Sequence, residues 1–266
     1  MPIVTYFFTA SQSPARGVAP LGFAPSGRCA LLALFFALAL LLVPSQEASA
    51  LTAAKNLSLY ARDMEFFYKE KRAETLPGIL RTFDAQNVLY DRQKQLTLAA
   101  FLAEALKSEP TARETLLSQA PTLSRDGKRT LAWAVHLAQL TDEAALMNQL
   151  LDQRDAVLLQ QIRLNPTPLL QWDITSEKTV LQMYWAAYTA SGNIAYLDAI
   201  IDAALHYADL NSSGRQNDPS FPVSQTAAAS LYEMSPRHET VQNRVEQKLK
   251  GLSGPRAETL LTILRK

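Results

Sequence analysis

The chain is poor in the residues that most often build chemical sites. It has one cysteine and three histidines among 266 residues, and its formal net charge is +1. A single cysteine, Cys29, cannot form a disulfide within the chain. The balanced charge argues against a protein that binds nucleic acid, because such proteins carry a clear excess of basic residues.

Catalytic and metal-binding motifs are also missing from the sequence. It has no G-x-S-x-G, P-loop or H-E-x-x-H pattern. The histidines His136, His206 and His238 are separated by 70 and 32 residues, unlike the closely spaced ligands of a zinc site. Each has a plainer interpretation, since His136 lies beside Trp133 in an apolar helix and the others lie near helix ends. We therefore expect no metal ion and no cofactor.

What the sequence does contain is one long apolar run near its start. Arg28 is followed by the uninterrupted apolar residues 29–43 and then by Pro44. The small-x-small sequence Ala-Ser-Ala follows at positions 48–50. A positive flank, an apolar core and small residues in this order are typical of a secretory signal peptide. The run is shorter than the roughly 20 residues of a membrane span, so we predict a signal peptide at 28–50.

Cleavage of this leader between Ala50 and Leu51 defines the domain organisation that we predict. Residues 1–27 would be a disordered extension or a mis-assigned start, and residues 51–266 the mature domain. That domain carries 24 basic and 24 acidic residues and would be periplasmic or secreted. The alternative is an uncleaved inner-membrane anchor at residues 29–43, the one route by which we expect contact with a membrane.

Helical spacing predominates in residues 51–266, and no convincing two-residue alternation indicates a strand. Residues 91–107 are apolar on nearly every side from Leu96 onward, which predicts a central helix. Two prolines interrupt the helical pattern at 165–173, and residues 209–222 form the longest polar loop. We predict an all-α domain of about eleven or twelve helices, in antiparallel pairs stacked as an irregular α-solenoid.

Three sequence signals predict particular helix ends. Thr111 with Glu114 matches a capping box at a helix start. Ser235 followed by Pro236 predicts another start, with the serine as N-cap. Gly192 predicts the end of a helix, because glycine readily adopts the left-handed conformation found there.

One stretch resembles a tetratricopeptide unit. Tyr188, Gly192 and Ala204 fall at the spacings of that repeat. Trp185 and Leu197 depart from it, since a small residue and an alanine are usual there, and no second copy follows at a period of about 34 residues. The resemblance implies stacked helical pairs, and a curved stack of this kind exposes a concave groove.

Two shorter stretches, TASGN at 189–193 and AAASL at 227–231, are similar to secreted all-helical bacterial proteins of unassigned function. This second resemblance implies export and an all-helical fold. It implies no particular activity.

Aromatic side chains provide the first candidate binding site. At helical spacing such residues belong mostly to a core. Tyr184, Trp185 and Tyr188 nevertheless cover more of one helix than a single inward stripe needs, which leaves one of them to face a groove. Together with Trp133 and His136 they form the candidate binding groove.

Two further candidates are weaker. The polar loop offers a set of candidate contact residues: Arg215, Asp218 and Phe221. The alternative interpretation is that this loop is simply disordered. Two carboxylates one helical turn apart, with a nearby histidine, could perform acid–base chemistry. These three residues are Asp198, Asp202 and His206. The alternative interpretation is that the two carboxylates belong to a helix face exposed to solvent.

The leading hypothesis is an exported, non-enzymatic α-helical module that binds a protein or peptide in the cell envelope. It rests on the helical pairs, the balanced charge and the missing catalytic motifs. One alternative is an all-helical hydrolase or lyase that uses the carboxylate and histidine set. The other is a structural subunit of an envelope assembly, which would show a large exposed apolar patch.

Overall fold

The computed structural model describes residues 60–165 and 167–265. The predicted signal peptide at 28–50 and its cleavage site lie outside the described residues. Within the described part the chain forms thirteen α-helices and no strand, which confirms the all-α prediction. None of the helices described there combines the length and apolar character needed to cross a bilayer.

Most of the helices follow one another through short connections. Residues 60–65 are helical, and the helices after them are α1 (Phe67–Glu70), α2 (Leu76–Ala85), α3 (Arg92–Ser108), α4 (Pro110–Leu117), α5 (Arg125–Ala138), α6 (Glu143–Leu150), α7 (Ala156–Leu164), α8 (Lys178–Ser191), α9 (Ile194–Ser212), α10 (Phe221–Met234), α11 (Glu239–Leu249) and α12 (Gly254–Leu264). Short 3₁₀ turns, among them Val88–Tyr90 and Gln153–Asp155, lie between some of them.

Helix α3 is the centre of the core. The Asp91 side chain caps it by accepting hydrogen bonds from the backbone N–H groups of Gln93 at 2.9 Å and Lys94 at 3.2 Å. Every residue from 95 to 106 is buried, and α3 packs against both α5 and α8. The prediction of a central helix at 91–107 is therefore confirmed, and its largely apolar surface explains why it needs neighbours on several sides.

In the C-terminal half of the chain, helices α8 to α12 pack against one another. Helix α8 ends at Gly192, whose φ of 70° is left-handed, as the sequence predicted. The Asn193 side chain then caps α9 by accepting from the backbone N–H of Ala195 at 3.0 Å. Helix α9 packs against α8, α10 and α12. A Cβ at Gly192 would come within 3.3 Å of the Tyr68 ring, so a side chain there meets a neighbour as well as a strained backbone.

Two predicted helix starts are wrong. Helix α4 begins at Pro110 with Glu109 as its N-cap, because proline suits the first helical position and starts the helix before Thr111. Ser235 ends α10 instead of starting α11, since its N–H donates to the Leu231 carbonyl at 2.9 Å and continues the helical hydrogen bonds. Helix α11 instead begins after His238.

A buried polar cluster joins the first described helical residues to the turn before α11. His238 Nε2 lies 3.0 Å from Glu65 Oε1, and His238 Nδ1 lies 3.0 Å from the Tyr68 hydroxyl. Arg237 donates to the other oxygen of Glu65, and the Phe66 ring stacks on the imidazole with centroids 4.8 Å apart. Glu65 and His238 are both buried, so their polar atoms must be satisfied inside the protein. We call this the Glu65–His238 cluster.

The Glu65→Gln variant tests this cluster. We expect a loss of about 2 kcal/mol in the free energy of unfolding, because the amide leaves the buried partners of the carboxylate incompletely satisfied. Denaturant-induced unfolding followed by circular dichroism measures the loss.

The matched control is Asp63→Asn, two residues away and only partly buried. We expect it to change the unfolding free energy by less than about 0.5 kcal/mol. Equal losses for the two variants would show that the cluster does not stabilise the fold.

Candidate functional site

The aromatic candidates lie in the protein interior. All five side chains of the predicted binding groove are less than a tenth exposed: Trp133, His136, Tyr184, Trp185 and Tyr188. Trp185 Nε1 donates to Ser230 Oγ at 3.0 Å, and the Tyr184 hydroxyl donates to the Trp172 carbonyl at 2.9 Å. Burial raises the pKa of Tyr184 to about 12. This environment favours the interpretation of the set as core over an exposed groove.

His136 has both ring nitrogens engaged within the fold. Its Nδ1 lies 2.8 Å from Glu143 Oε1 and its Nε2 lies 3.2 Å from the Asn165 carbonyl. The imidazole therefore ties α5 to α6 and to the end of α7, and neither nitrogen is left for a ligand. No group of three or more His, Cys, Asp or Glu side chains in the described residues is arranged to hold a metal ion.

The two carboxylates of the candidate catalytic set are paired with basic side chains of α11. Arg244 donates to both oxygens of Asp198 at 2.7 Å. Lys248 lies 3.2 Å from Asp202 and 3.7 Å from Asp198. The hydrogen bond from Arg244 is the largest cause that holds the pKa of Asp198 below its ordinary value. A carboxylate stabilised in its ionised form is a poor proton donor.

The polar loop is shorter than the sequence predicted and is locally ordered. Helix α9 continues past residue 209, so the connection covers 213–220 rather than 209–222. Asp218 Oδ1 accepts from the backbone N–H of Ser220 at 3.0 Å and from its hydroxyl at 2.6 Å. Arg215 donates to the other Asp218 oxygen at 2.7 Å. These bonds make Asp218 the organising residue of the loop.

Side chains of the loop and of the first residue of α10 contact α9. His206 Nε2 lies 3.0 Å from Ser220 Oγ, and the ring centroids of Phe221 and Tyr207 lie 5.4 Å apart. The candidate catalytic set is thus divided, because His206 contacts the loop whereas Asp198 and Asp202 pair with basic side chains of α11. Of the predicted contact residues, Phe221 packs against Tyr207, and Tyr207 in turn lines a groove.

That groove opens between α9, α10 and α12, with a volume of about 680 Å³. Two tyrosines line it: Tyr207 is partly buried and Tyr232 is 51% exposed. The small buried residues Ala208 and Ala228 also line it, which lets a ligand approach the helix backbones closely. Glu258 adds an exposed carboxylate from α12. We call this the tyrosine groove.

Sequence reasoning singled out neither tyrosine of this groove. Tyr207 and Asn211 lie one turn apart on α9 and both line the groove. The sequence prediction ended this helix at residue 208, and a helix extended to Asn211 would have placed the two residues on one face. Tyr232 stands alone on α10, and no local signal distinguishes it. The groove exists only because α12 packs against both α9 and α10.

Comparison of the chain with protein-family models, curated proteins and solved structures found no match. The tetratricopeptide resemblance therefore stays a prediction from the residues that carry it.

The order of the loop should depend on the charge of Asp218. Hydrogen bonds from Ser220 are the largest cause that holds the pKa of Asp218 below its ordinary value. The ionised form therefore stabilises the loop above the ordinary aspartate pKa of about 3.9, and this contribution is lost as the pH falls through the depressed pKa. We expect hydrogen-exchange protection factors for residues 213–220 to fall in the same pH range.

The control for this measurement is the Asp218→Asn variant. Its amide cannot ionise, so its protection should be lower near neutral pH and should vary little on acidification. An identical acid-dependent loss in both proteins would assign the effect to another group.

Proposed function

We propose that this protein is an exported, non-enzymatic α-helical module that binds a polypeptide segment in the cell envelope. The observation that carries the proposal is the tyrosine groove, in which Tyr207 and the half-exposed Tyr232 accompany small buried side chains. Tyrosines offer apolar area and a hydroxyl at a low entropy cost, and they are enriched among the residues that contribute most to binding.

The form of the groove supports a polypeptide ligand. Three helices border an open cleft of about 680 Å³, and grooves between helices commonly accept an extended or helical segment. The exposed carboxylate of Glu258 favours a segment that presents a basic side chain or N–H donors. Such a ligand would cover the Tyr232 ring and pair its own polar groups with the groove.

The pairing of the candidate acid–base groups supports binding over catalysis. Asp198 and Asp202 are held by basic side chains of α11, and His206 contacts a serine of the loop. The contacts of α9 with both α8 and α10 support the finer proposal of stacked helical pairs in an irregular α-solenoid. The envelope location rests on the predicted leader at 28–50.

A random peptide library displayed on phage tests the binding function. Peptides selected on the purified protein should lose at least about tenfold in affinity for Tyr232→Ala, since removing a central aromatic anchor costs about 2 kcal/mol. Fluorescence anisotropy with the labelled peptides measures the dissociation constants.

The control is Leu164→Ala, which truncates an apolar side chain that is 77% exposed and does not line the tyrosine groove. This variant should bind the same peptides as the wild type does. Selected peptides that bind Tyr232→Ala and the wild type equally well would rule out the groove as the binding site.

The proposed location has its own test in N-terminal sequencing of the protein from the envelope fraction of its host. A chain that begins at Leu51 shows cleavage after Ala50 and release. A chain that retains residues 29–43 shows membrane anchoring instead, and recovery only from the cytoplasm would contradict export.

A further inference from the structure

A second groove lies on another part of the molecule and has a different chemistry. It is bordered by the Val88–Tyr90 turn, α3, α5 and α7, and its volume is about 570 Å³. Four guanidinium groups and a single carboxylate line it: Arg92, Arg125, Arg129, Arg154 and Asp126. Asp126, Asp152 and Asp155 pair with three of these arginines, so the four guanidinium groups leave one net positive charge at the groove. We call it the arginine groove.

A buried carboxylate behind the groove holds two of these arginines in place. Asp155 is 3% exposed, and its Oδ1 accepts from Arg125 Nε at 3.0 Å and from Arg129 Nε at 2.8 Å. Burial alone would raise the pKa of Asp155, but the hydrogen bonds from both arginines outweigh it and keep the pKa below its ordinary value. Asp155 therefore acts as a positioning residue for both guanidinium groups.

The positioned arginines keep donors for a ligand. A guanidinium group has five N–H donors. The Nε–H of each arginine donates to Asp155, which also lies 2.8 Å from one terminal nitrogen of each, and Arg129 Nη1 donates to Asp126 at 3.1 Å. The Arg125 side chain is 41% exposed and that of Arg129 is 28% exposed. The Arg154 side chain is 74% exposed and forms an ion pair with Asp152 at 2.6 Å. Preorganised guanidinium groups bind carboxylates with two parallel hydrogen bonds.

Apolar side chains stand beside these charges. Tyr90 is 86% exposed and Val157 is 69% exposed, and both line the groove. A ligand that covers them must bring apolar surface together with negative charge. An inorganic anion has no apolar surface and is far smaller than the groove.

We propose that the arginine groove binds an acidic polypeptide segment. Its aspartate or glutamate side chains pair with Arg92, Arg125 and Arg154, and an apolar side chain between them packs against Tyr90 and Val157. The spare N–H donors of these guanidinium groups, the one net positive charge and the exposed apolar surface beside them favour this occupant. The site shares no lining residue with the tyrosine groove, so the two proposals stand or fall separately.

The test uses a fluorescein-labelled peptide of glutamate and leucine as the probe, with fluorescence anisotropy as the measurement. We expect saturable binding to the full chain that weakens as the salt concentration rises. The double variant Arg92→Glu and Arg154→Glu should bind at least about tenfold more weakly. Both residues are exposed, so circular dichroism should show an unchanged fold.

The matched control is Arg72→Glu, which reverses an arginine of similar surface character, 53% exposed, outside the groove. It should leave the affinity for the probe unchanged. Equal weakening by Arg72→Glu would assign the effect to the overall charge of the protein and overturn the proposal.

Further results of two kinds, with peptides and with vesicles, would overturn it. One is the absence of binding to the glutamate–leucine peptide at millimolar concentration, or equal binding of a lysine–leucine peptide. The other is groove-dependent binding of phosphatidylglycerol vesicles without binding of the acidic peptide, which would make the surface a membrane contact.

Discussion

Twelve consecutive residues of α3, from 95 to 106, have no side facing solvent, and the remaining helices must close around them. An all-round apolar helix is stable in water only when several neighbours cover it. Helices α5 and α8 supply most of that cover. The charged Glu104 lies within the same stretch and accepts from the Tyr196 hydroxyl at 2.8 Å and from Lys107 at 2.7 Å, since burial without partners would be costly.

The same constraint governs the other buried carboxylates. Glu65 binds Arg237 and His238, and Asp155 binds two arginines of α5. Each is paired, because an unpaired buried charge would outweigh the packing around it. The two kinds of pairing differ in their consequences. The Glu65–His238 cluster is buried and joins the first described helix to the turn before α11. Asp155, by contrast, positions two arginines whose side chains remain partly exposed and can donate to a ligand.

The aromatic residues of α8 show where sequence reasoning ends. Hydrophobic periodicity correctly placed Tyr184, Trp185 and Tyr188 on one helix, but they cover more of its surface than one inward stripe. The surplus suggested a groove, yet α8 packs against α1, α3, α9 and α10 and is covered on several sides. How many neighbours a helix has is a property of the tertiary arrangement, and no spacing within the helix reveals it.

The sequence by itself determined the all-helical character, the central position of α3 and the helix end at Gly192, because these follow from interactions within a few residues along the chain. Only the tertiary structure decided that Asp198 pairs with Arg244, 46 residues away. It likewise decided that Tyr207 and Tyr232 line one groove. Contacts between helices depend on which faces pack together, and many packings satisfy the same local pattern.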